Sequence, residues 1–296
     1  MTVKNTTPIV LTIAGSDSGG GAGIQADIKA ISATGSYACS VITALTAQNT
    51  QGVTGIFPIS SEFVEQQMDA VFSDLSIQAV KIGMLSDVNI IKAVARKLRQ
   101  YKPKHLVIDP VMVATSGDLL LESSAISTLK SVLLPLATMI TPNLPEAAAL
   151  TGESAPKTEA EMNALIVKLR QLDTRAILLK GGHLDSCDDS TDLFITKGHV
   201  ERLSTTRIKT QNTHGTGCTL SSAIASYLAR GYTLKEAVQL GKHYITQAIS
   251  HADTLDIGHG HGPVHHFFPG HQLVQNLYSF PMQDENTQSS GDVEYD

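Results

Sequence analysis

Residues 213–221 have the sequence Thr-His-Gly-Thr-Gly-Cys-Thr-Leu-Ser, and an apolar run at 223–229 follows them closely. Glycines and small hydroxyl residues before an apolar run predict a tight turn that leads into a helix. The first backbone N–H groups of a helix have no partner within it, and the helix dipole is positive there. Because glycine lets such a backbone approach a phosphate closely, we interpret this turn as an anion-binding loop. An ordinary glycine-rich loop that caps a core helix is the alternative.

Two further features of this loop bear on its chemistry. The pattern GxxxxGK[ST] does not occur in the chain, so a phosphate-binding lysine must come from elsewhere in the sequence. Cys218 would lie at the positive end of the helix, where a thiol loses its proton more easily. We therefore expect a readily ionised thiol beside the bound anion.

Length and composition limit the classes of protein that fit. The chain has 296 residues, 42% of them hydrophobic, enough for one large core or two small ones. Its net charge of −6 and its dispersed lysines and arginines argue against nucleic-acid binding. Three cysteines do not form a disulfide framework in a chain of this length. With no signal-peptide pattern and no apolar run of membrane-spanning length, we expect a soluble cytoplasmic protein without a membrane partner.

The beginning of the chain predicts a strand, a glycine-rich loop and a helix. Residues 9–14 are apolar, residues 15–23 are rich in glycine, and isoleucines follow at helical spacing. Residues 21–26 fit the GxGxxA pattern of dinucleotide-binding proteins, but the acidic residue which that pattern needs about twenty positions later is missing. We expect instead that a small ligand lies against this backbone, with Asp27 one turn inside the helix.

The next segment predicts a strand at 37–46 with an amide pair, Gln48 and Asn49, just beyond it. A glutamine amide offers both a donor and an acceptor, so it can bind the edge of a heteroaromatic ring. A turn before Gly52 explains the same residues equally well. Residues 53–59 predict another strand, at a sheet edge or in a flap, because Pro58 interrupts it.

Alternating strands and helices in the rest of the chain predict a mostly parallel sheet with helices on both faces. Strands are expected at 79–85, 106–112, 137–143 and 176–182, and a hairpin is expected at 191–206. Helices are expected at 61–72 with Ser61 as N-cap, at 88–98, 162–172 and 233–250, and after the anion loop, where the helix runs to 230–231. Ligands of such folds bind outside the carboxyl ends of the strands.

Five residues at or just after these predicted strand ends are expected to form one site: Met84, Asp109, Asn143, Glu146 and Lys180. Asp109 and Glu146 can hold Mg²⁺, directly or through water, because Mg²⁺ uses one or two carboxylates together with phosphates. A turn before Pro110 is the alternative for Asp109, and compensation of a helix dipole is the alternative for Glu146. Lys180 follows four apolar residues and would supply the missing phosphate-binding charge.

The C-terminal region contains four histidines: His259, His261, His265 and His266. Their spacing matches no zinc pattern and no cysteine lies nearby, so we expect a structural segment there and not a metal site. Residues 284–296 are polar and acidic, which predicts a disordered tail.

Six motifs in this order resemble the bacterial hydroxymethylpyrimidine and phosphomethylpyrimidine kinases of thiamine biosynthesis. They are residues 14–27, 41–50, 81–85, 141–147, 179–183 and 212–221, and the resemblance extends to 258–260 and 262–267. Gly19 departs from the family, which usually has serine there. We accordingly expect a flexible N-terminus at 1–8, a single ribokinase-like kinase domain at 9–268, and a C-terminal extension at 269–296 whose acidic end is disordered.

The resemblance implies an α/β fold of the ribokinase-like type, with a central, mostly parallel sheet, helices on both faces and a small β flap. It also implies two phosphoryl transfers from ATP with Mg²⁺. The first acceptor is the hydroxymethyl group of 4-amino-5-hydroxymethyl-2-methylpyrimidine, and the second is the resulting monophosphate. The expected partners are therefore the pyrimidine and ATP, and we expect a homodimer.

By the same resemblance, Gln48 binds the edge of the aminopyrimidine, and four residues surround the ring: Gly15, Asp27, Met84 and Val111. The residues expected to meet the ATP phosphates are Lys180, Thr213, Gly215, Thr216, Gly217 and Cys218. The amides of this loop can stabilise charge on the transferred phosphoryl group. Cys218 occupies the position where related sugar kinases carry an aspartate base, so its thiolate can take the hydroxymethyl proton.

Two other functions fit parts of the sequence. A pyridoxal or pyridoxine kinase has the same fold and anion loop, and hydrogen bonding around Gln48 and Met84 is all that separates it. A non-catalytic sensor of pyrimidines is the second, but a sensor would not need Lys180, Glu146 and Cys218 together.

Overall fold

A computed structural model describes residues 7–112, 123–182, 184 and 189–268. The expectations for residues 1–6 and for the extension at 269–296 lie outside these ranges. Within them, none of the helices combines the length and the apolar character that a membrane span requires.

The described residues contain a nine-stranded sheet with the order β3-β2-β1-β4-β5-β6-β7-β8-β9. Its strands are β1 (Ile9–Asp17), β2 (Tyr37–Asn49), β3 (Gly52–Pro58), β4 (Ala79–Ile82), β5 (His105–Ile108), β6 (Met139–Ile140), β7 (Ala176–Leu179), β8 (Asp189–Thr196) and β9 (Val200–Thr206). The central strands pair in parallel, whereas β3, β8 and β9 each pair antiparallel with the strand before them. The predicted α/β class with a mostly parallel sheet is confirmed.

The helices are α1 (Gly23–Ala33), α2 (Ser61–Asp74), α3 (Val88–Tyr101), α4 (Ser123–Thr128), α5 (Leu144–Thr151), α6 (Glu159–Ala164), α7 (Ile166–Leu169), α8 (Thr216–Ala229) and α9 (Leu234–Ser250). Alternate residues of a central strand enter two apolar cores on opposite sides of the sheet. Val10 joins the core formed with α1, α8 and α9, whereas Leu11 and Ile13 join the core formed with α2, α3 and α5. Because successive side chains of a strand point to opposite faces, helices cover both faces of the sheet, as predicted.

Several element boundaries differ from the expectation, among them the starts of two helices. The N-cap of α2 is Ser60 and not Ser61, because the Ser60 hydroxyl accepts the Phe63 N–H at 3.2 Å. The helix expected at 162–172 consists of two short helices, α6 and α7. The first of them begins earlier, because the side chain of Thr158 accepts the Glu161 N–H at 3.2 Å.

The hairpin of β2 and β3 is the expected flap at the sheet edge. The second strand pairs with β2 alone and leaves its other side unpaired within the described part of the chain. The carboxyl half of β2 carries Gln48, so the flap brings this residue to the end of the sheet where the parallel strands finish.

Candidate active site

A cavity of about 710 Å³ lies at the carboxyl ends of the parallel strands. Each predicted strand-end residue lines it: Met84, Asp109, Asn143, Glu146 and Lys180. The loop before α8 forms another part of the wall, and Gln48 lies at the opposite end of the sheet order from Lys180. One cavity therefore contains the residues expected at the phosphates and, except for Asp27, those expected at the pyrimidine.

The turn before α8 contains a glycine, Gly215, at a position where any other residue would strain the backbone. Gly215 is the N-cap of α8 with a φ of 79°, the left-handed region that favours glycine. A Cβ at this position would also overlap the carbonyl oxygen of Gly21. Thr213, Gly215, Thr216, Gly217 and Cys218 all line the cavity. The start of the helix thus presents its dipole and first-turn amides to the cavity, as an anion-binding loop requires.

Lys180 lies between two carboxylates at the end of β7. Its Nζ lies 2.8 Å from Asp109 Oδ1 and 4.0 Å from Glu146 Oε2. Burial alone would lower the pKa of Lys180, but the negative charges of Asp109 and Glu146 outweigh burial and raise it. Lys180 is therefore a fixed positive charge at neutral pH, beside the first turn of α8.

Glu146 has a structural role at the start of α5, as part of a helix cap. Its Oε2 accepts the Asn143 N–H at 2.7 Å, and the Asn143 side chain accepts the Glu146 N–H at 2.8 Å, so the two form a capping box at the start of α5. Burial raises the pKa of Glu146 to about 7, against the opposing effect of the Lys180 ammonium. A positive charge brought to this carboxylate would stabilise its ionised form.

Asp109 and Glu146 suit Mg²⁺ by their chemistry. The described residues contain no group of three or more histidine, cysteine or acidic side chains arranged for a metal ion. Two buried carboxylates beside an anion loop are nevertheless the donor set that Mg²⁺ uses when phosphates and water supply its remaining ligands. The residues present therefore fit a magnesium ion that arrives with a nucleotide.

The expectation of a readily ionised Cys218 is wrong for the free protein. Burial raises the pKa of the Cys218 thiol to about 11, and the charges of Asp27 and Asp109 add to that effect, whereas Lys81 opposes it. Position at a helix N-terminus lowers the pKa of a thiol, but here desolvation and two nearby carboxylates outweigh it. The side chain is a neutral thiol at neutral pH.

At the other end of the cavity, Gln48 is held by its neighbours. Thr46 Oγ1 lies 3.1 Å from Gln48 Oε1, and the Gln48 N–H donates to Ser18 Oγ at 2.8 Å. The Met84 side chain packs against Gly15 so closely that a Cβ at position 15 would overlap its methyl group. Gly15, Gln48, Met84 and Val111 all line the cavity.

Asp27 is the exception, because it does not line the cavity as the resemblance implied. Its side chain is fully buried, and its carboxylate accepts hydrogen bonds from three residues: Thr12 at 2.6 Å, Ser222 at 2.7 Å and Lys81 at 2.7 and 2.8 Å. Lys81, which the motif analysis overlooked, does line the cavity. Its signals in the sequence are its position as the first residue of the motif 81–85 and the presence of a lysine inside the apolar strand 79–85. Asp27 therefore acts on the cavity through Lys81.

A second pair that the sequence analysis overlooked is Asp17 and His214. The Nε2 atom of His214 lies 2.9 Å from Asp17 Oδ2, and both side chains are buried. His266, one of the four C-terminal histidines, has the structural role that we expected. His266 Nε2 lies 2.9 Å from Thr219 Oγ1, and burial lowers the pKa of His266 to about 3.

Comparison with known proteins agrees with this geometry. A family model described as phosphomethylpyrimidine kinase matches residues 17–265. The chain is 56% identical to a hydroxymethylpyrimidine/phosphomethylpyrimidine kinase of Rhizobium meliloti, over 88% of this chain and 97% of the relative. It is 51% identical to the protein of that name from Escherichia coli, over 87% of this chain and 96% of the relative.

Solved structures show the same fold. The ADP complex of Bacillus subtilis pyridoxal kinase matches with a TM-score of 0.82 at 34% identity, over 88% of this chain and 98% of that one. A phosphomethylpyrimidine kinase from Clostridium difficile matches with a TM-score of 0.72 at 46% identity, over 81% of this chain and 99% of that one. The ribokinase-like fold and the resemblance of the motifs are thereby confirmed, and the chain belongs to the phosphomethylpyrimidine kinase family.

Proposed function

We propose that the protein transfers phosphate from ATP first to the hydroxymethyl group of 4-amino-5-hydroxymethyl-2-methylpyrimidine and then to the resulting monophosphate, in thiamine biosynthesis. The observation that carries this proposal is the meeting of Lys180, Asp109 and the first turn of α8 in one cavity with Gln48. Because both ends belong to one cavity, one domain at 9–268 performs both steps. The use of ATP fits the cytoplasmic location that the sequence predicts.

The phosphate end works by positioning and by neutralising charge. Phosphoryl transfer needs little covalent chemistry from the protein, so fixed positive charge and oriented amides supply most of the catalysis. Lys180 supplies the charge, and the amides of Gly215, Thr216, Gly217 and Cys218 surround the transferred group, with Thr213 at the entry to the loop. Asp109 and Glu146 would hold Mg²⁺, which when bound supplies charge neutralisation at the β- and γ-phosphates.

The pyrimidine end holds the acceptor by its ring. The Gln48 amide hydrogen-bonds the aminopyrimidine edge, while Gly15, Met84 and Val111 pack around the ring. These contacts direct the hydroxymethyl group towards Cys218 and the transferred phosphate. Cys218 contributes chiefly through its backbone amide, and its neutral thiol contributes by packing. This assignment replaces the thiolate base suggested by the sequence.

The second step needs even less help from a base. A phosphomonoester loses its second proton with a pKa of about 6, so the attacking oxygen is already ionised at neutral pH. The same anion loop must then accommodate one more phosphate between the ring and ATP. Two successive steps at a single site therefore require no second set of catalytic residues.

Pyridoxal is the second candidate acceptor, favoured by one finding. Pyridoxal kinases match this fold at TM-scores of 0.82 and 0.81, and one of them, from Staphylococcus aureus, was solved in complex with AMP-PCP and pyridoxal. Their identities to this chain, 34% and 30%, are below those of the hydroxymethylpyrimidine/phosphomethylpyrimidine kinases. The pyrimidine is therefore the first choice, and pyridoxal belongs in the same assay.

The proposed homodimer rests on the surface of the flap. Leu45, Ile56 and Phe57 are exposed by 44%, 47% and 67% on β2 and β3, and Phe63 of α2 is exposed by 53%. An unpaired strand edge that carries large apolar side chains is typical of a protein interface. Sedimentation of the wild type against Phe57→Glu tests it: a dimer that the substitution dissociates is expected, and a monomeric wild type contradicts it.

The function is tested by ADP release from Mg-ATP with three acceptors in parallel: hydroxymethylpyrimidine, its monophosphate and pyridoxal. Turnover with both pyrimidines is expected. Turnover with pyridoxal alone would assign the protein to vitamin B6 and would contradict the proposed role of Gln48. Binding of the pyrimidine without any ADP release would instead indicate a sensor.

A further inference from the structure

Two glycine-rich segments at the wall of the cavity meet at one buried hydrogen bond. Asp17 is the last residue of β1, directly before the loop that leads into α1, and His214 belongs to the loop before α8. The Asp17 and His214 residues are 2% and 7% exposed, and His214 Nε2 lies 2.9 Å from Asp17 Oδ2. Both residues line the cavity, yet the proposed phosphate and pyrimidine contacts involve neither of them.

The Asp17 carboxylate organises the first loop. Its Oδ1 accepts the Gly19 N–H at 2.8 Å, and its Oδ2 accepts those of Gly21 at 3.1 Å and Ala22 at 2.8 Å. Burial raises the pKa of Asp17, but the hydrogen bonds from His214 and these amides outweigh burial and lower it. An ionised carboxylate only accepts hydrogen bonds, so the proton between the two side chains is carried by Nε2 of His214.

The backbones of the two loops are in contact around this bond. Gly215 approaches Gly21 so closely that a Cβ at position 215 would overlap the Gly21 carbonyl oxygen, and a Cβ at position 21 would overlap the His214 ring. A shift of one loop therefore cannot occur without a shift of the other, as long as the hydrogen bond holds them together.

Each loop is also attached to one of the two proposed ligand subsites. Ser18 connects the first loop to the flap, because its Oγ donates to the Gln48 carbonyl at 2.7 Å and accepts the Gln48 N–H at 2.8 Å. His214 directly precedes Gly215, the N-cap of the anion helix. The chain of contacts from Gln48 through Ser18, Asp17 and His214 to Gly215 thus runs from the pyrimidine edge to the phosphate.

We propose that Asp17 and His214 are a positioning pair that sets the distance between the acceptor hydroxyl group and the transferred phosphate. The inference rests on the proposed kinase function. In the coupled reaction, the hydroxymethyl oxygen forms a bond to the γ-phosphorus, the bond to the bridging oxygen of ADP breaks, and the hydroxymethyl proton passes to solvent. If the acceptor is displaced, water takes its place and the products are ADP, phosphate and a proton.

Geometry of this kind has a large effect on rate. A displacement of about 1 Å at a reacting centre can reduce the rate about 100-fold, whereas a small, mobile water molecule can enter the space that a displaced acceptor leaves. Loss of the hydrogen bond should therefore reduce transfer to the pyrimidine more than it reduces release of ADP. The product-to-ADP ratio, counted as phosphoryl groups transferred to the pyrimidine per ADP released, is one when either step is coupled. It then falls below one, a change that a general loss of stability would not produce.

The test compares this ratio, kcat and both KM values in His214→Phe, His214→Gln and Asp17→Asn. Phe keeps a flat ring without a donor, whereas the amide of Gln restores an N–H near the position of Nε2. His243, exposed on α9 and absent from the cavity lining, provides the matched control His243→Gln. Circular dichroism and thermal unfolding identify variants that do not fold.

For His214→Phe we expect kcat of the first step to fall about tenfold to 100-fold, the product-to-ADP ratio to fall below one, and both KM values to change little. His214→Gln should recover most of the ratio and Asp17→Asn should not. If His214→Phe does not fold, the ratio in His214→Gln against Asp17→Asn decides the question in the same way. Equal ratios of one in all variants would overturn the positioning role while leaving the kinase function intact. A wild type that forms no phosphopyrimidine would overturn both the inference and the proposed function.

Discussion

Lys180 and Asp109 form an ion pair with Nζ 2.8 Å from Oδ1, and position 217 at the start of α8 lies directly against it. A Cβ on Gly217 would lie 3.2 Å from Lys180 Nζ and 3.3 Å from Asp109 Oδ2, closer than side-chain carbons ordinarily pack. The anion helix approaches the ion pair most closely at residue 217, where the absence of a side chain leaves room for this contact. Positive charge and oriented amides meet there, where the proposed mechanism needs them.

Replacement of Lys180 by methionine should abolish most of the transfer. We expect kcat to fall by about 10² to 10³ in both steps, the usual effect of losing one charge-stabilising group. The matched control is Lys168→Met, because Lys168 forms an exposed ion pair with Glu153 at 3.2 Å, and exposed pairs contribute at most about 1 kcal/mol. Steady-state ADP release measures both variants. Comparable kcat values in the two would contradict the role of Lys180.

Gly215→Ala should damage the loop far more than backbone strain alone explains. The control is Gly152→Ala: its φ of 76° resembles the 79° of Gly215, but a Cβ at position 152 meets nothing within 4 Å. A left-handed non-glycine residue costs about 1–2 kcal/mol by itself. We expect Gly152→Ala to lower the unfolding free energy by about that amount with activity intact, and Gly215→Ala to lose activity as well. Equal activity of the two proteins would mean that the close approach to Gly21 has no function.

Glu146→Gln should change how stability depends on pH. The folded pKa of about 7 lies above the ordinary 4.5, so the folded state keeps its proton longer than the unfolded state does. The associated stability is complete below pH 4.5 and is lost as pH rises through 7; a shift of about 2.5 units corresponds to about 3 kcal/mol. Gln keeps a side-chain oxygen as the capping acceptor but does not ionise. Urea unfolding should therefore show that the unfolding free energy decreases less from pH 5 to pH 8 in the variant than in the wild type. Identical losses in both proteins would show that Glu146 titrates normally.

Cys218 should react slowly with alkylating reagents at neutral pH, because only the thiolate is nucleophilic and the pKa of its thiol is about 11. Mass spectrometry of the modified peptide should show a rate that keeps rising above pH 9. The half-buried Cys39, whose pKa burial also raises to about 11, is an internal reference. Rapid modification of Cys218 but not of Cys39 at pH 7 would instead show that the Cys218 thiol ionises readily, as the sequence predicts.

Kinetics of Cys218→Ala address the same residue during turnover. Since the neutral thiol contributes by packing, we expect the substitution to reduce both phosphorylation steps by a similar factor. The comparison is made with the hydroxymethyl substrate and with its monophosphate under the same conditions. A loss confined to the hydroxymethyl substrate would assign proton transfer to the thiol.

The rim of the cavity was predictable because parallel strands end at the same edge of a sheet. Any polar residue at a strand end, such as Asp109 or Lys180, must therefore lie near the others. The position of Asp27 was not predictable in this way, because the residue lies in α1 and helical spacing does not reveal which face of that helix meets the cavity and which meets Lys81. The ionisation of Cys218 was not predictable either: the helix start is visible in the sequence, but burial and the approach of Asp27 and Asp109 depend on packing between distant segments.

The pair formed by Asp17 and His214 shows the same limit. The two residues lie 197 positions apart, and neither belongs to a pattern that links them. The anion-loop motif itself was recognisable, because its glycines and the following apolar run are local. The contact that joins it to the first loop arises only once α1 and α8 pack side by side against the sheet.

The central claim is that one cavity carries out both phosphorylations. Phosphorus NMR of hydroxymethylpyrimidine with excess Mg-ATP tests it most directly. We expect the monophosphate to appear first and then decline as the diphosphate rises, with two ADP formed per pyrimidine and both steps lost together in Lys180→Met. Accumulation of the monophosphate as the final product, or loss of only one step in the variant, would contradict the claim.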